Sequence, residues 1–189
     1  MSFRFDANKV AQATAYMLKS MNEKRHNFMA LLKMLYIADR ESLKETGFPI
    51  TGDTYAAMKH GPVLSRTYDL MKTSEDWPEK DSEESLWTEH FRRDNCDLCL
   101  VRDPGSGELS EYEMEKLQDV CRRFGKRDRF ELADFTHTFP EWKKNDPGDS
   151  SVTIELTDLL DAVGRSNDIE AILQAAREER HFSSLFAGR

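Results

Sequence analysis

Apolar residues recur at helical spacing through the first forty positions. Val10, Thr14, Met17, Leu18 and Met21 form one stripe, and Asp6 stands where its carboxylate can cap the helix that carries them. The polar run Asn22-Glu23-Lys24-Arg25 closes that helix. From about Asn27 a second helix places Phe28, Leu31, Leu32, Leu35 and Ala38 on one face, while Met29, Met34, Tyr36 and Ile37 make it apolar almost all round. A helix apolar on every side belongs in the middle of a fold, so this is the expected central helix. Gly47 is placed to end it as a C-cap. Phe48-Pro49-Ile50-Thr51 is extended, because the residue before a proline is pushed out of the helical region. Gly52-Asp53 turns, Tyr55 to Met58 fits either a short strand or a helix start, and Pro62 after Gly61 suits the first turn of a helix carrying Val63, Tyr68, Leu70 and Met71.

Further along, residues 74 to 85 hold six acids against one lysine, with a proline and three serines, and read as a solvated loop. Trp87, Glu89, Phe91 and Arg93 share one side of an alternating stretch, and Cys96, Leu98 and Leu100 alternate after it, the pattern of a β-hairpin. Ser110 and Glu113 make a capping box at the head of a helix running through Met114, Leu117, Val120, Cys121 and Phe124 to Gly125. Phe130 to Phe139 reads as another helix and residues 145 to 150 as a linker. Val152-Thr153-Ile154 is a short extended piece, followed by a brief helix capped by Thr157 and ending at Gly164, and by a last helix capped by Asn167 with Ile169, Ile172, Leu173 and Ala176 on its inner face. The expected fold class is mainly α: a compact multi-helix domain with a central apolar helix and a small β-hairpin insertion. One domain covers 1–189, with 5–144 as main body and the C-terminal helices of 151–189 packed on it.

Composition narrows the functions. Apolar residues are 39% and charged residues 33% of the 189, enough for a sizeable core under a charged surface. The formal net charge is −8, against non-specific nucleic-acid binding and in favour of a basic partner. Cys96, Cys99 and Cys121 are odd in number and lack disulfide-like spacing, which fits a reducing cytoplasm. The first residues have no apolar core of a signal peptide, and no run reaches the ~20 apolar residues a membrane span needs. A soluble, cytoplasmic protein is expected.

Several residues break local rules. Asp39 lies on the apolar face of the central helix, so it is expected to be paired or to accept backbone N–H groups of the connector after it. Lys59 and His60 sit against the Gly61-Pro62 turn. Asp53, His60 and His137 could build a hydrolase-like site if a carboxylate oriented a histidine, but no nucleophile motif, P-loop or H-E-x-x-H accompanies them. Cys96-x-x-Cys99 has metal-knuckle spacing that Cys121 and His90 could complete, yet an offset of three in a strand sends the two thiols to opposite faces. No cofactor is therefore expected. A DNA-binding regulator is the remaining alternative, through two helices across 157–180. Arg177 and Arg180 there are outnumbered by Asp168, Glu170, Glu178 and Glu179, so DNA is an unlikely partner. The basic cluster Arg122, Arg123, Lys126, Arg127 and Arg129 suits the negative end of a helix and could also hold an anionic partner.

Three blocks stand in a fixed order. The first is the central helix with Asp39, the G-x-P-[IL]-x-G-D turn at Gly47 to Asp53, and the run Tyr55-Ala56-Ala57-Met58-Lys59-His60-Gly61-Pro62-Val63. The second is the capped helix ELSEYEMEKLQDVCRRFG, and the third is FELADFTHTFPEWKKN, with Thr136-His137 and Trp142. Together they resemble the Panacea domain, also described as SocA-like, over roughly residues 5 to 180. The resemblance implies a mostly helical antitoxin of bacterial or phage toxin–antitoxin pairs, which binds and neutralises a protein toxin encoded nearby. It implies no catalytic residues. Asp39, Gly52, Asp53, Tyr55, Lys59, His60, Gly61, Pro62, Val63, His137 and Trp142 are its motif positions in this chain. The expected anchors for the toxin are Phe48, Tyr55, Lys59 and His60 on the connector, and the apolar tip Phe182, Leu185 and Phe186.

Overall fold

In a computed structural model of the chain, residues 3–73 and 81–186 are described, the last four by their backbone only. Helix α1 (Ala7–Ser20) starts where Asp6 accepts the N–H groups of Asn8 and Lys9. Helix α2 (Phe28–Thr46) starts where Asn27 accepts those of Met29 and Ala30, and it ends at Gly47 with φ 82°. Helix α5 (Glu111–Phe124) carries the capping box of Ser110 and Glu113, and packs on both α1 and α2. These local signals produce the predicted elements because each cap bonds only to its own first or last turn.

Among the described residues, two three-stranded antiparallel sheets accompany the helices, rather than one hairpin. In the first, β1 (Arg25–Asn27) pairs with β5 (Asp97–Leu100), which pairs with β4 (Phe91–Asp94). The polar run does close α1, and its last residue, Arg25, opens a strand. The partner strand lies about seventy residues further on, and nothing in three residues announces it. In the second sheet, β3 (Gly61–Leu64) pairs with β2 (Tyr55–Met58), and β2 with β6 (Ser151–Ile154).

Pro62 therefore lies in a strand and not in a helix. It opposes Ala57 on the edge strand of its sheet, where a missing N–H costs least. The helix after it, α3, begins only at Ser65 and runs to Lys72.

The expected hairpin is present as β4 and β5 from Phe91 to Leu100, but the start of the alternating stretch, with Trp87 and Glu89, is corrected to helix. Asp81 and Glu84 form a capping box, and α4 (Ser82–His90) follows, so the last residues of the acidic run are helix while residues 74 to 80 lie outside the described residues. Trp87 is 1% exposed and stacks on Phe91 at 4.4 Å. An offset of four suits one helical face as well as alternation does; the cap puts Trp87 in the helix, and Phe91 begins β4 directly after it.

Helix α6 (Arg129–His137) packs on α2 and β3, with a further short helix α7 (Pro140–Lys144) after it. Helix α8 (Leu156–Ala162) touches α2 and α7, and α9 (Ile169–Phe186) follows a 3-10 turn at Ser166–Asp168. One cluster of buried apolar side chains runs from Phe3 to Ala176, and α2 supplies its middle.

Candidate functional site

The connector from Gly47 to Leu64 is held by three buried polar centres. At the first, Asp39 is 0% exposed and accepts the backbone N–H groups of Ile50 and Thr51, both at 2.9 Å, together with the hydroxyls of Thr51 and Tyr55. Burial pushes its carboxyl up to about 6, against the pull of these donors. The carboxylate thus folds the extended Phe48 to Thr51 segment back onto α2.

At the second centre, Asp53 accepts the N–H groups of Arg66 and Thr67 at 3.0 and 2.8 Å and the Thr67 hydroxyl at 2.7 Å. Leu64, at the start of α3, has no capping side chain, so Asp53 caps that helix from a distance. Burial raises the Asp53 carboxyl. Its remaining bond goes to the N–H of Thr54. Neither His60 nor His137 hydrogen-bonds to it.

The third centre involves Lys33, which the sequence reading did not single out. The residue is 1% exposed, its ammonium donates to the Pro62 carbonyl at 2.7 Å, and burial lowers its pKa to about 7. Gly61, with φ 93°, lies against it: a Cβ there would stand 3.0 Å from Lys33 Nζ and 2.5 Å from Thr136 Oγ1. His137 stacks on Trp142 at 4.2 Å, and Trp142 Nε1 donates to the Met58 carbonyl at 3.0 Å. Burial, then the Lys33 charge, holds His137 below the usual imidazole range. The Thr136-His137 and Trp142 block therefore clamps the β2–β3 turn, and Val63 in β3 is buried.

A further buried carboxylate, Glu141, was also missed. It is 0% exposed, accepts the Tyr36 hydroxyl at 3.1 Å and pairs with Arg40 Nε at 2.7 Å. Its signal was a Glu inside an apolar block next to Trp142, and its partners lie a hundred residues earlier.

The predicted anchors separate on exposure. Tyr55 is buried, hydrogen-bonded to Asp39 and packed edge-on against Tyr36, which removes it as a partner contact. Phe48 is 50% exposed beside Phe3, and Phe182 is 59% exposed. His60 is exposed, as is Lys59, which pairs with Asp149 at 2.7 Å. The side chains of Leu185 and Phe186 lie outside the described residues. In the basic cluster, Arg122 and Arg123 pair with Asp119, and Arg123 also with Glu41. Arg127 lies over Phe124 and Phe135, and Arg129 over Phe130. Cys121 is buried in α5, where its thiol points to the Met17 carbonyl, and no group of His, Cys, Asp and Glu side chains is gathered for a metal among the described residues. No helix there is long and apolar enough to cross a membrane.

A mainly helical scaffold whose signature loop is pinned from within defines the class. The chain belongs to the family described as antitoxin SocA-like, Panacea domain, whose model matches residues 31–143. That span holds Lys33, all three polar centres and Glu141. It is narrower than the resemblance over 5 to 180: α1, β1, β6, α8 and α9 fall outside it. No curated protein and no solved structure matches the chain.

Proposed function

We propose that this protein is an antitoxin that binds and neutralises a cognate protein toxin by occlusion or sequestration, with contact surface rather than chemistry providing the effect. The observation that supports the reading is membership of the antitoxin family across the segment that forms the connector and its clamps. A preformed, internally pinned loop loses little conformational freedom on binding, which favours affinity. Phe48, Lys59, His60 and Phe182 are the retained anchor candidates. The whole chain acts as one unit in the cytoplasm, with β6 extending the second sheet of the main body and α8 packing on α2.

The test is growth of cells expressing the protein encoded by the neighbouring reading frame, with and without this chain. Toxicity of that protein alone, relieved by co-expression and accompanied by co-purification of the pair, is the expected result. A neighbour without toxicity, or toxicity that persists despite folded antitoxin, overturns the reading.

A further inference from the structure

A groove of about 290 Å³ opens between α2, α3, α6 and the β2–β3 turn, lined by Met29, Lys33, His60, Tyr68, Arg129, Phe130 and Ala133. Its walls are apolar, and Phe130 stands at its rim 61% exposed. Every ionisable side chain along it other than Tyr68 is cationic or able to become so, in a chain whose net charge is −8. The carboxylates on the adjoining helices have other tasks. Glu131 closes the capping box with Asp128, Asp69 pairs with Lys72, and Asp134 acts on His137. Arg129 rests on the Phe130 ring and makes no ion pair among the described residues. At the floor, the Lys33 ammonium has three hydrogens and one acceptor, the Pro62 carbonyl, with no carboxylate in salt-bridge range among the described residues. A buried cation is stabilised by an opposite charge brought close to it, and this one lacks such a partner.

We propose that this groove is the toxin-docking site, taking a toxin segment that presents an apolar side chain of leucine or phenylalanine size beside an Asp or Glu. The apolar side chain fills the space between Met29, Tyr68 and Phe130. The carboxylate pairs with Arg129 at the rim and lies toward Lys33. Burial of an exposed aromatic at the centre of an interface, with complementary charge around it, is the usual arrangement of a binding hot spot. The proposal rests on the antitoxin reading and adds to it the surface and the chemistry of the partner. It also accounts for a cationic groove on an acidic protein, where overall charge alone pointed to a basic partner.

The test uses the purified full chain, with the protein encoded by the neighbouring reading frame as the probe. Phe130→Ala combined with Arg129→Glu changes two exposed side chains and is expected to weaken binding by roughly 30-fold or more. Lys33→Met keeps the packing but removes the amine. It is expected to weaken binding by about tenfold while the melting temperature holds or rises, because a buried cation is replaced by an apolar chain. Val101→Ala, on a remote exposed residue, is the control and stays within about twofold. If the wild type binds and both groove variants bind within about twofold of it, the groove is not the site. Loss of binding confined to Phe48→Ala or Phe182→Ala overturns it in favour of those surfaces. Failure of the wild type to bind or neutralise overturns the antitoxin reading, and the groove proposal falls with it.

Discussion

The Asp53 carboxylate accepts the backbone N–H of Thr67 at 2.8 Å, fourteen residues further along the chain. A side chain from the connector thereby satisfies the first turn of α3, whose own preceding residue is Leu64. Asp53→Ala leaves three backbone N–H groups, those of Thr54, Arg66 and Thr67, and a threonine hydroxyl without their acceptor. The expected cost is about 2 kcal/mol, at the upper end for loss of a cap because the site is buried. Asp53→Asn, which keeps one acceptor oxygen, is expected to cost less. Urea unfolding midpoints decide it, and an unchanged midpoint for the alanine variant would show that α3 does not depend on this cap.

Gly52 is tied to the N-terminal segment. Its φ is 66°, and a Cβ would fall 1.9 Å from the Arg4 carbonyl oxygen, which is backbone and cannot rotate away. Gly52→Ala is expected to destabilise by roughly 3 kcal/mol, from strain and displacement together. Gly107→Ala, with nothing within 4 Å of its Cβ, is expected to stay within about 0.5 kcal/mol. Equal melting temperatures for the two variants would contradict the close approach.

Glu141 joins α7 to α2 through Tyr36 and Arg40, and the Arg40 guanidinium also lies 4.3 Å from the centre of the Phe139 ring. Removing the carboxylate strands a half-buried guanidinium and a buried hydroxyl. Glu141→Ala is expected to cost about 3–5 kcal/mol, and Glu141→Gln less, since an amide oxygen can still accept one bond. Chemical denaturation of the two variants measures the difference, and the reading fails if alanine is tolerated as well as glutamine.

Asp39 and Lys33 give stability an unusual pH profile. Asp39 is raised to about 6 in the fold from an ordinary value of 3.8. Between those values the folded state holds the extra proton, so its contribution is full below about 4 and is lost as pH rises through 6. Lys33 is lowered to about 7 from 10.5. Between those values the unfolded state holds the extra proton, so stability gains as pH rises from about 7 toward 10.5. The two slopes predict a shallow minimum near neutral pH. Lys33→Met is expected to remove the rise on the alkaline side, and Asp39→Asn the fall on the acid side. Unfolding free energy measured from pH 4 to 10 tests both, and an alkaline slope that survives in Lys33→Met assigns it elsewhere.

The elements legible in the sequence are those whose signals are local. Asp6, Asn27, Gly47 and Ser110 each bond within one turn of their own helix, and the all-round apolar pattern of Phe28 to Ala38 put α2 at the centre. The inference that Asp39 needed backbone partners was also local, because a carboxylate on an apolar stripe leaves few alternatives. Where two local patterns competed, only part of the stretch was read correctly. Phe91 does open the strand of the expected hairpin, but Trp87 fits alternation and helical spacing alike and lies in α4, and the Asp81–Glu84 box that starts this helix was read as part of a charge run. Of the candidate site, the motif positions were visible but their division of labour was not: Tyr55 looked like a contact residue and is a buried hydrogen-bond donor.

By itself, then, the sequence determined where α1, α2 and α5 begin and end, which helix is innermost and which stretch carries the family's signature. These follow from capping and periodicity, which act over a few residues. Only the tertiary structure decided that β6 completes the sheet of β2, that Asp53 caps α3, that Glu141 holds Arg40, and that Lys33 turns inward to Pro62 and floors a cationic groove. Each of these depends on what stands opposite in space. The free energy of a buried charge or an unpaired strand is set by that neighbour and not by the residues beside it in the chain.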